Sequence, residues 1–506
     1  MKKKLLPALI VTGLIILVVI IMGITALINK YTPTKKTEDL KEYFNISSDD
    51  EAALIVNNEL SDYKAKIIDK KIYVDYKFVH DSLNSRFYWD ANENVLLYTT
   101  ASDIISAAAD SNSYSVTKQT NDFGYPIVKA TSDSALIALD YVKQYSNITF
   151  KSYDDPARIV ITSKWDEIDS ATVSKSTQVR VKGGIKSPIL KEVKKDDKIT
   201  ILDSGDKWDK VATEDGVIGY IKRKALSESK KTKLTNPDYE EETFTHIKKD
   251  KDICLAWNQV TSQSANSKVP QVISSTKGIN VMSPTWFYLN DNNGNLADIA
   301  SKDYVSYCHS QGIEVWGLFS NLENTDVDAA YVLTHTSTRT TLINQIMSAA
   351  FNYELDGVNI DFENITEAAY GDSYIEFIRE LAIKCHNNGI SLSVDVTVPA
   401  SFNKFFNRSD MANFADYIVI MGYDEHYKGS DAGSVSSIPW VTEGVESTLK
   451  EVPADQIILG MPFYTRIWEL TPKEDDDAVT DTEDQSKYTV ASQVYSMDAA
   501  AAQLAT

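Results

Sequence analysis

The chain has 506 residues, 43% of them hydrophobic and 24% charged, a globular composition that excludes wholesale disorder. Its 51 Lys and Arg against 72 Asp and Glu leave a formal charge of −21, which excludes a nucleic-acid partner for the chain as a whole, because phosphate binding needs net positive charge. Three cysteines and six histidines, with no Cys-x-x-Cys and no His-Glu-x-x-His, exclude a disulfide scaffold and any zinc site readable from spacing.

From the N-terminus, Lys2, Lys3 and Lys4 precede residues 5–28, which carry no charge. As a helix at ~1.5 Å per residue that stretch is about 36 Å long, enough to cross a hydrocarbon core of ~30 Å. No convincing small-residue cleavage site precedes Asn29, so the sequence predicts an uncleaved single-pass anchor at 5–28. Residues 1–4 form a cytoplasmic stub, and the rest of the chain lies outside the cell. A linker is expected at 29–44.

Residues 45–167 hold a weak internal repeat. The run Phe78-Val79, then Arg86-Phe87-Tyr88-Trp89-Asp90, then Val95-Leu96-Leu97-Tyr98 has a counterpart. It is Tyr141-Val142, Phe150-Lys151-Ser152-Tyr153-Asp154 and Ile159-Val160-Ile161-Thr162. Each copy predicts a helix followed by two short strands. The segment resembles the copper amine oxidase N-terminal-like domain, a non-catalytic module, and no ligand cluster for copper is seen. Residues 171–227 read as short strands at even spacing, the pattern of a small all-β barrel. With Trp208…Val211, Asp215-Gly216 and Gly219-Tyr220-Ile221 they resemble the bacterial SH3-like domain, which implies either a spacer or a cell-wall-binding module. Charge runs and Pro237 mark a linker at 228–249.

Residues 250–506 alternate strand and helix. Seven candidate strands run through Ile253–Asn258, Ile279–Trp286, Ile313–Phe319, Leu355–Phe362, Ile390–Val398, Tyr417–Tyr423 and Ile457–Phe463. Leu342, Ile343, Ile346, Met347 and Ala350 recur at helical steps between them, as do Tyr374, Phe377, Ile378, Leu381 and Cys385. The pattern predicts parallel βα units of a (β/α)8 TIM barrel lacking its last strand. The tail Val490–Ala505 reads as a helix, and the acidic run Glu474–Asp484 as a solvated loop. The three cysteines are expected as buried free thiols.

On the fourth candidate strand, Asp356-Gly357-Val358-Asn359-Ile360-Asp361-Phe362-Glu363 alternates. Val358, Ile360 and Phe362 take one face; Asn359, Asp361 and Glu363 take the other. Acidic groups at the C-terminal end of a barrel strand sit where such folds keep active sites. Two carboxylates at i and i+2 repel, which raises the proton affinity of one, as a general acid requires.

This stretch resembles the Asp-x-x-Asp-x-Asp-x-Glu motif of glycoside hydrolase family 18, with Asn359 in place of one Asp. Met421-Gly422-Tyr423-Asp424 resembles a second motif of that family. The combination is similar to bacterial enzymes that cut spore-cortex or vegetative peptidoglycan as N-acetylglucosaminidases. The resemblance implies a 2-acetamido sugar substrate whose own acetamido group is the nucleophile. It makes Glu363 the acid and base, Asp361 the carboxylate that orients the acetamido N–H, and Tyr423 a donor to its carbonyl. Asn359, Met421 and Asp424 line the same subsite, and no metal or organic cofactor is implied. Because Asn359 does not ionise, Asp361 is expected to stay anionic more readily. Trp286 is the aromatic residue expected to stack on sugar.

The sequence thus predicts a membrane-anchored extracellular glycosidase acting on peptidoglycan or another N-acetylglucosamine polymer. Two alternatives stand beside it. A barrel open at one strand exposes backbone edges, so the chain is read either as a fragment of a longer reading frame or as a non-catalytic protein that only binds wall polysaccharide. A chitinase is the other. Nothing in the sequence fixes the oligomeric state.

Overall fold

The computed structural model describes residues 2–363, 365, 368–473 and 485–504. The expected loop Glu474–Asp484 lies outside the described residues. The N-terminus forms one helix, Lys2–Tyr31. Its stretch Leu9–Tyr31 is long and apolar enough to cross a membrane.

The chain divides into two compact units, each built from two separate stretches. One comprises Met1–Ser85 and Pro126–Glu241; the other comprises Arg86–Tyr125 and Glu242–Thr506. This division cuts through the repeat segment read at 45–167.

The first unit holds two seven-stranded sheets. One runs Thr149–Tyr153, Arg158–Thr162, Glu51–Val56, Glu59–Ile68, Lys71–Asp75, Ala135–Ala138 and Val128–Ala130 in spatial order. Its neighbours are antiparallel except for Glu51–Val56 beside Arg158–Thr162. The other is wholly antiparallel and lies within Glu167–Lys233. Both segments read as linkers carry structure. Phe44, after the short helix Leu40–Tyr43, is fully buried with Val179, Val211 and Ile221. Lys230–Lys233 is a strand paired with Glu167–Thr172.

The two copies of the repeat part company. Each gives a helix and a two-stranded hairpin, Tyr76–Ser82 with Phe87–Thr99 and Leu139–Tyr145 with Thr149–Thr162. The second hairpin extends the first unit's sheet. The first instead continues through Ile104–Ala108, Ser113–Val116 and Gln119–Asp122 as a five-stranded meander in the second unit. There Tyr88 Oη lies 2.8 Å from Ser373 Oγ, and Thr99 Oγ1 donates to Glu376 Oε1 at 2.7 Å. Glu376 is completely buried and also accepts from Arg379, which in turn pairs with Asp410. Buried charge is tolerated only when paired and hydrogen-bonded in this way.

The core of the second unit is seven parallel strands in chain order: Leu255–Asn258, Val281–Leu289, Glu314–Ser320, Gly357–Asp361, Ser391–Thr397, Tyr417–Met421 and Ile457–Gly460. Helices Thr336–Tyr353 and Ala368–His386 flank the fourth strand in sequence and bury the apolar residues at helical spacing. Leu392, Val394 and Val396 of the fifth strand join Val358 and Ile360 of the fourth in that core, while the alternate residues face the other way.

Two expectations need correction. The tail is not all helix: Tyr488–Ser496 is a strand antiparallel to Tyr464–Pro472, and only Met497–Leu504 is helical. β-branched and aromatic residues at alternate positions (Val490, Val494, Tyr488) favour strand over helix. Cys308 and Cys385 are buried free thiols, but Cys254, just before the first strand, is exposed.

Candidate active site

The fourth strand positions the site. Its outward residues Val358, Ile360 and Phe362 are buried in the core, leaving Asn359, Asp361 and Glu363 together on the opposite face. Asn359 is completely buried. Its Oδ1 accepts from Trp257 Nε1 at 3.0 Å and Ser283 Oγ at 2.9 Å, and its Nδ2 donates to Asp395 Oδ1 at 2.7 Å. Four strands therefore meet at one amide. Trp257 also touches the seventh strand: a Cβ on Gly460 would come within 2.8 Å of its ring, so only glycine fits there.

Two residues on, Asp361 Oδ1 is buried with no hydrogen-bond partner among the described residues. A buried acceptor left open is costly unless something else fills it. Glu363 leaves the strand end with its backbone clamped by one side chain. Its N–H donates to Asn321 Oδ1 at 2.9 Å, and Asn321 Nδ2 donates to its carbonyl at 2.8 Å.

Tyr423 follows the sixth strand, edge-on to Trp257 and Tyr464 with ring centroids 6.1 Å from each. Asp424 adopts φ 58°, a left-handed turn that Asp tolerates better than most residues. Arg466 Nη2 lies 3.5 Å from its Oδ1. Met421 ends the sixth strand, in register with Thr397 and Gly460.

The electrostatics follow from crowding. Burial first, then the charges of Glu363 and Glu323, push the Asp361 carboxyl up to about 7. Asn359 adds no charge of its own to this crowding, so the rise comes from burial and from Glu363 and Glu323. Burial, Asp424 and Glu323 raise Glu363. Asp395 is raised well above the usual carboxylate range by burial and by Asp361, against the hydrogen bond from Asn359. The Tyr423 hydroxyl is raised too, by burial and then by Asp395 and Asp361, so it stays protonated and can donate.

Trp286 is not in this group. It is completely buried on the helix side of the second strand, edge-on to Tyr304 at 4.9 Å, with Nε1 donating to Asn266 Oδ1 at 2.7 Å. Ser283, which faces Asn359, sets the parity of that strand, and Trp286 falls on the other face. Trp286→Ala should therefore cost about 3–5 kcal/mol of stability and leave the KM of the folded fraction unchanged. Thermal melts beside steady-state kinetics check this; a raised KM without a lowered melting point would return Trp286 to the site.

Sequence reading missed Trp257 as a structural partner of Asn359, and it missed Asn321, Glu323 and Asp395. Only Asp395 carried a signal: Ser391-Leu392-Ser393-Val394-Asp395 alternates as the fourth strand does. The histidines prove ordinary, with His309 on Asp356 at 2.8 Å and His386 on Asp416 at 3.1 Å.

The chain is similar to known proteins. Residues 324–503 match the model of glycosyl hydrolases family 18. A glycosylase of Bacillus subtilis, YvbX, is 25% identical over 194 residues, covering 36% of this chain and 55% of its own. The cortical fragment-lytic enzyme of Bacillus subtilis is 26% identical over 187 residues, 35% of this chain and 43% of its own. The chain thus spans about half the length of these curated relatives. Among solved structures, a chitinase from Chromobacterium violaceum is similar at 19% identity and a TM-score of 0.42, over 50% of this chain and 76% of its own. The residues that match glycosyl hydrolases family 18 include Asp361, Glu363 and Tyr423.

Proposed function

We propose that the chain is a membrane-anchored extracellular glycosidase that hydrolyses β-1,4 bonds at N-acetylglucosamine in peptidoglycan. The observation that carries this reading is the buried, unpartnered Asp361 Oδ1, two residues before the clamped Glu363 on the same face. Such an oxygen suits one amide N–H of a 2-acetamido sugar.

Glu363 protonates the leaving glycosidic oxygen as the acetamido oxygen attacks the anomeric carbon. An oxazolinium ion forms, and Glu363 then takes a proton from the water that opens it. Asp361 accepts the acetamido N–H and offsets the positive charge of the ring. The Tyr423 hydroxyl donates to the acetamido oxygen and holds it beneath the reacting carbon. Met421 and Asp424 line the same subsite. The seven parallel strands with their helices are read as a (β/α)8-type scaffold. Residues 5–28 act as the anchor and 171–227 as an SH3-like module that meets the wall. The fragment-lytic activity in a relative's name favours peptidoglycan over other N-acetylglucosamine polymers.

The test is to incubate the detergent-solubilised chain with purified peptidoglycan and identify released fragments by mass spectrometry. New reducing ends at N-acetylglucosamine are expected. Release from chitin oligomers alone would move the substrate to chitin, and wall binding with no release would leave a non-catalytic binding protein.

A further inference from the structure

Asn359 has one amide and three neighbours that dictate its orientation. Trp257 Nε1 and Ser283 Oγ both point hydrogens at Oδ1, which Nδ2 is unable to accept. Asp395 takes the hydrogen on the other side. Asp395 is 3% exposed, on the fifth strand, on the face opposite the buried Val394 and Val396. Asp361 shares Asn359's face of the fourth strand two positions on, and among the described residues its Oδ1 has no donor. Without Asp395 the Asn359 N–H is a buried donor lacking its acceptor, and Asp361 Oδ1, two positions on along the same face, is a buried acceptor lacking a donor among the described residues. The two are then drawn together against the hold of Trp257 and Ser283 on the Asn359 Oδ1.

We propose that Asp395 is a positioning residue of this cleft, holding the Asn359 amide turned toward the fifth strand so that Asp361 Oδ1 stays free for substrate. The inference rests on the functional reading above and extends it to a residue outside both sequence motifs. Asp395 acts through Asn359 and makes no contact with the reacting atoms. What it supplies is a hydrogen-bond acceptor. Charge is not required, and an amide oxygen at the same place serves. The ionisable groups facing it are Asp361 and Glu363 from the fourth strand, Tyr423 after the sixth and Tyr374 from the helix Ala368–His386.

The test compares Asp395→Asn, which keeps an acceptor, with Asp395→Leu, which removes it at similar volume. Peptidoglycan is the substrate, and N-acetylglucosamine thiazoline, a mimic of the cyclised acetamido group, is the binding probe. Asp395→Asn should stay within ~3-fold of the wild type in kcat. Asp395→Leu should lose ~100-fold in kcat with KM within ~3-fold, because the Asp361 contact strengthens as positive charge develops. Thiazoline affinity should fall in the Leu variant alone. A Leu variant as active as the wild type overturns the proposal, and so does an Asn variant as damaged as Leu. If Asp395→Leu does not fold, Asp395→Ala replaces it under the same criteria. A wild type that neither cleaves peptidoglycan nor binds thiazoline removes the functional reading, and the proposal falls with it. A wild type that cleaves while all variants match it removes the proposal alone.

Discussion

Glu363→Gln should bind wall polymer and release almost nothing, with kcat down by ~10³-fold and KM little changed. General acid catalysis contributes ~10²–10⁴-fold, and this scheme asks the same carboxyl to act twice. Gln keeps the size of the side chain. The clamp from Asn321 acts on the backbone and survives the change. Nothing else in the group replaces the proton donor on the proposed reading, which assigns Asp361 to the acetamido group, while Asp424 lies beside Arg466. Fragment release by mass spectrometry reads the loss. The deficit should shrink for an aryl glycoside whose leaving group needs no proton, which separates loss of an acid from loss of binding. Equal release by both proteins would mean that the acid lies elsewhere.

Asp361→Asn should show activity and stability moving in opposite directions. Activity falls by ~10²-fold, the usual effect of removing one preorganised electrostatic contact. Stability rises at neutral pH. The carboxyl sits at about 7 in the folded protein against 3.8 ordinarily. Between those values the folded state holds a proton that the unfolded chain has released, so stability falls as pH rises through that window. Above about 7 the whole cost of the buried charge is present, on the order of 4 kcal/mol. The variant should therefore melt higher than the wild type at pH 8 and together with it at pH 4. Melting curves at the two pH values decide this; a constant difference, or none, would show that Asp361 carries no such burden. A functional residue held at a cost to the fold is a common arrangement at active sites.

How far the site was readable depended on how local each signal was. The fourth strand announced itself because alternation and acidity coincide in Asn359, Asp361 and Glu363, and strand parity needs no tertiary knowledge. The same rule places Trp286: with Ser283 inward, position 286 faces the helices, and its aromatic character had drawn attention away from its parity. Asp395 had the alternation but only one acidic residue, so nothing distinguished it from a polar strand end. Asn321 and Glu323 sit in a loop, where position is set by the strands on either side. The proton affinity of Asp361 was not legible for the same reason: it depends first on burial, then on Glu363 beside it on the strand and on Glu323, which is remote in sequence. The repeat was legible as two helix-hairpin copies, yet identical local patterns do not say which sheet a hairpin joins. Its fate rests on hydroxyls such as Tyr88 and Thr99 meeting Ser373 and Glu376.

That meander also sets an order of events. It leaves the ribosome complete at Asp122, while the helix that carries Ser373 and Glu376 begins only at Ala368. Through all the intervening synthesis its half of the contact waits, and Tyr88 and Thr99 have no partner. The first unit meanwhile obtains its last strand, Lys230–Lys233, well before that helix exists. N-terminal stretches fold as they emerge, so the first unit closes early with the meander looped out of it. A nascent chain stalled near residue 300 would carry a finished first unit and a meander still open to proteases. A single late cleavage in the mature chain at Glu241 would not part the two units, because the backbone also crosses between them at Ser85 and at Tyr125.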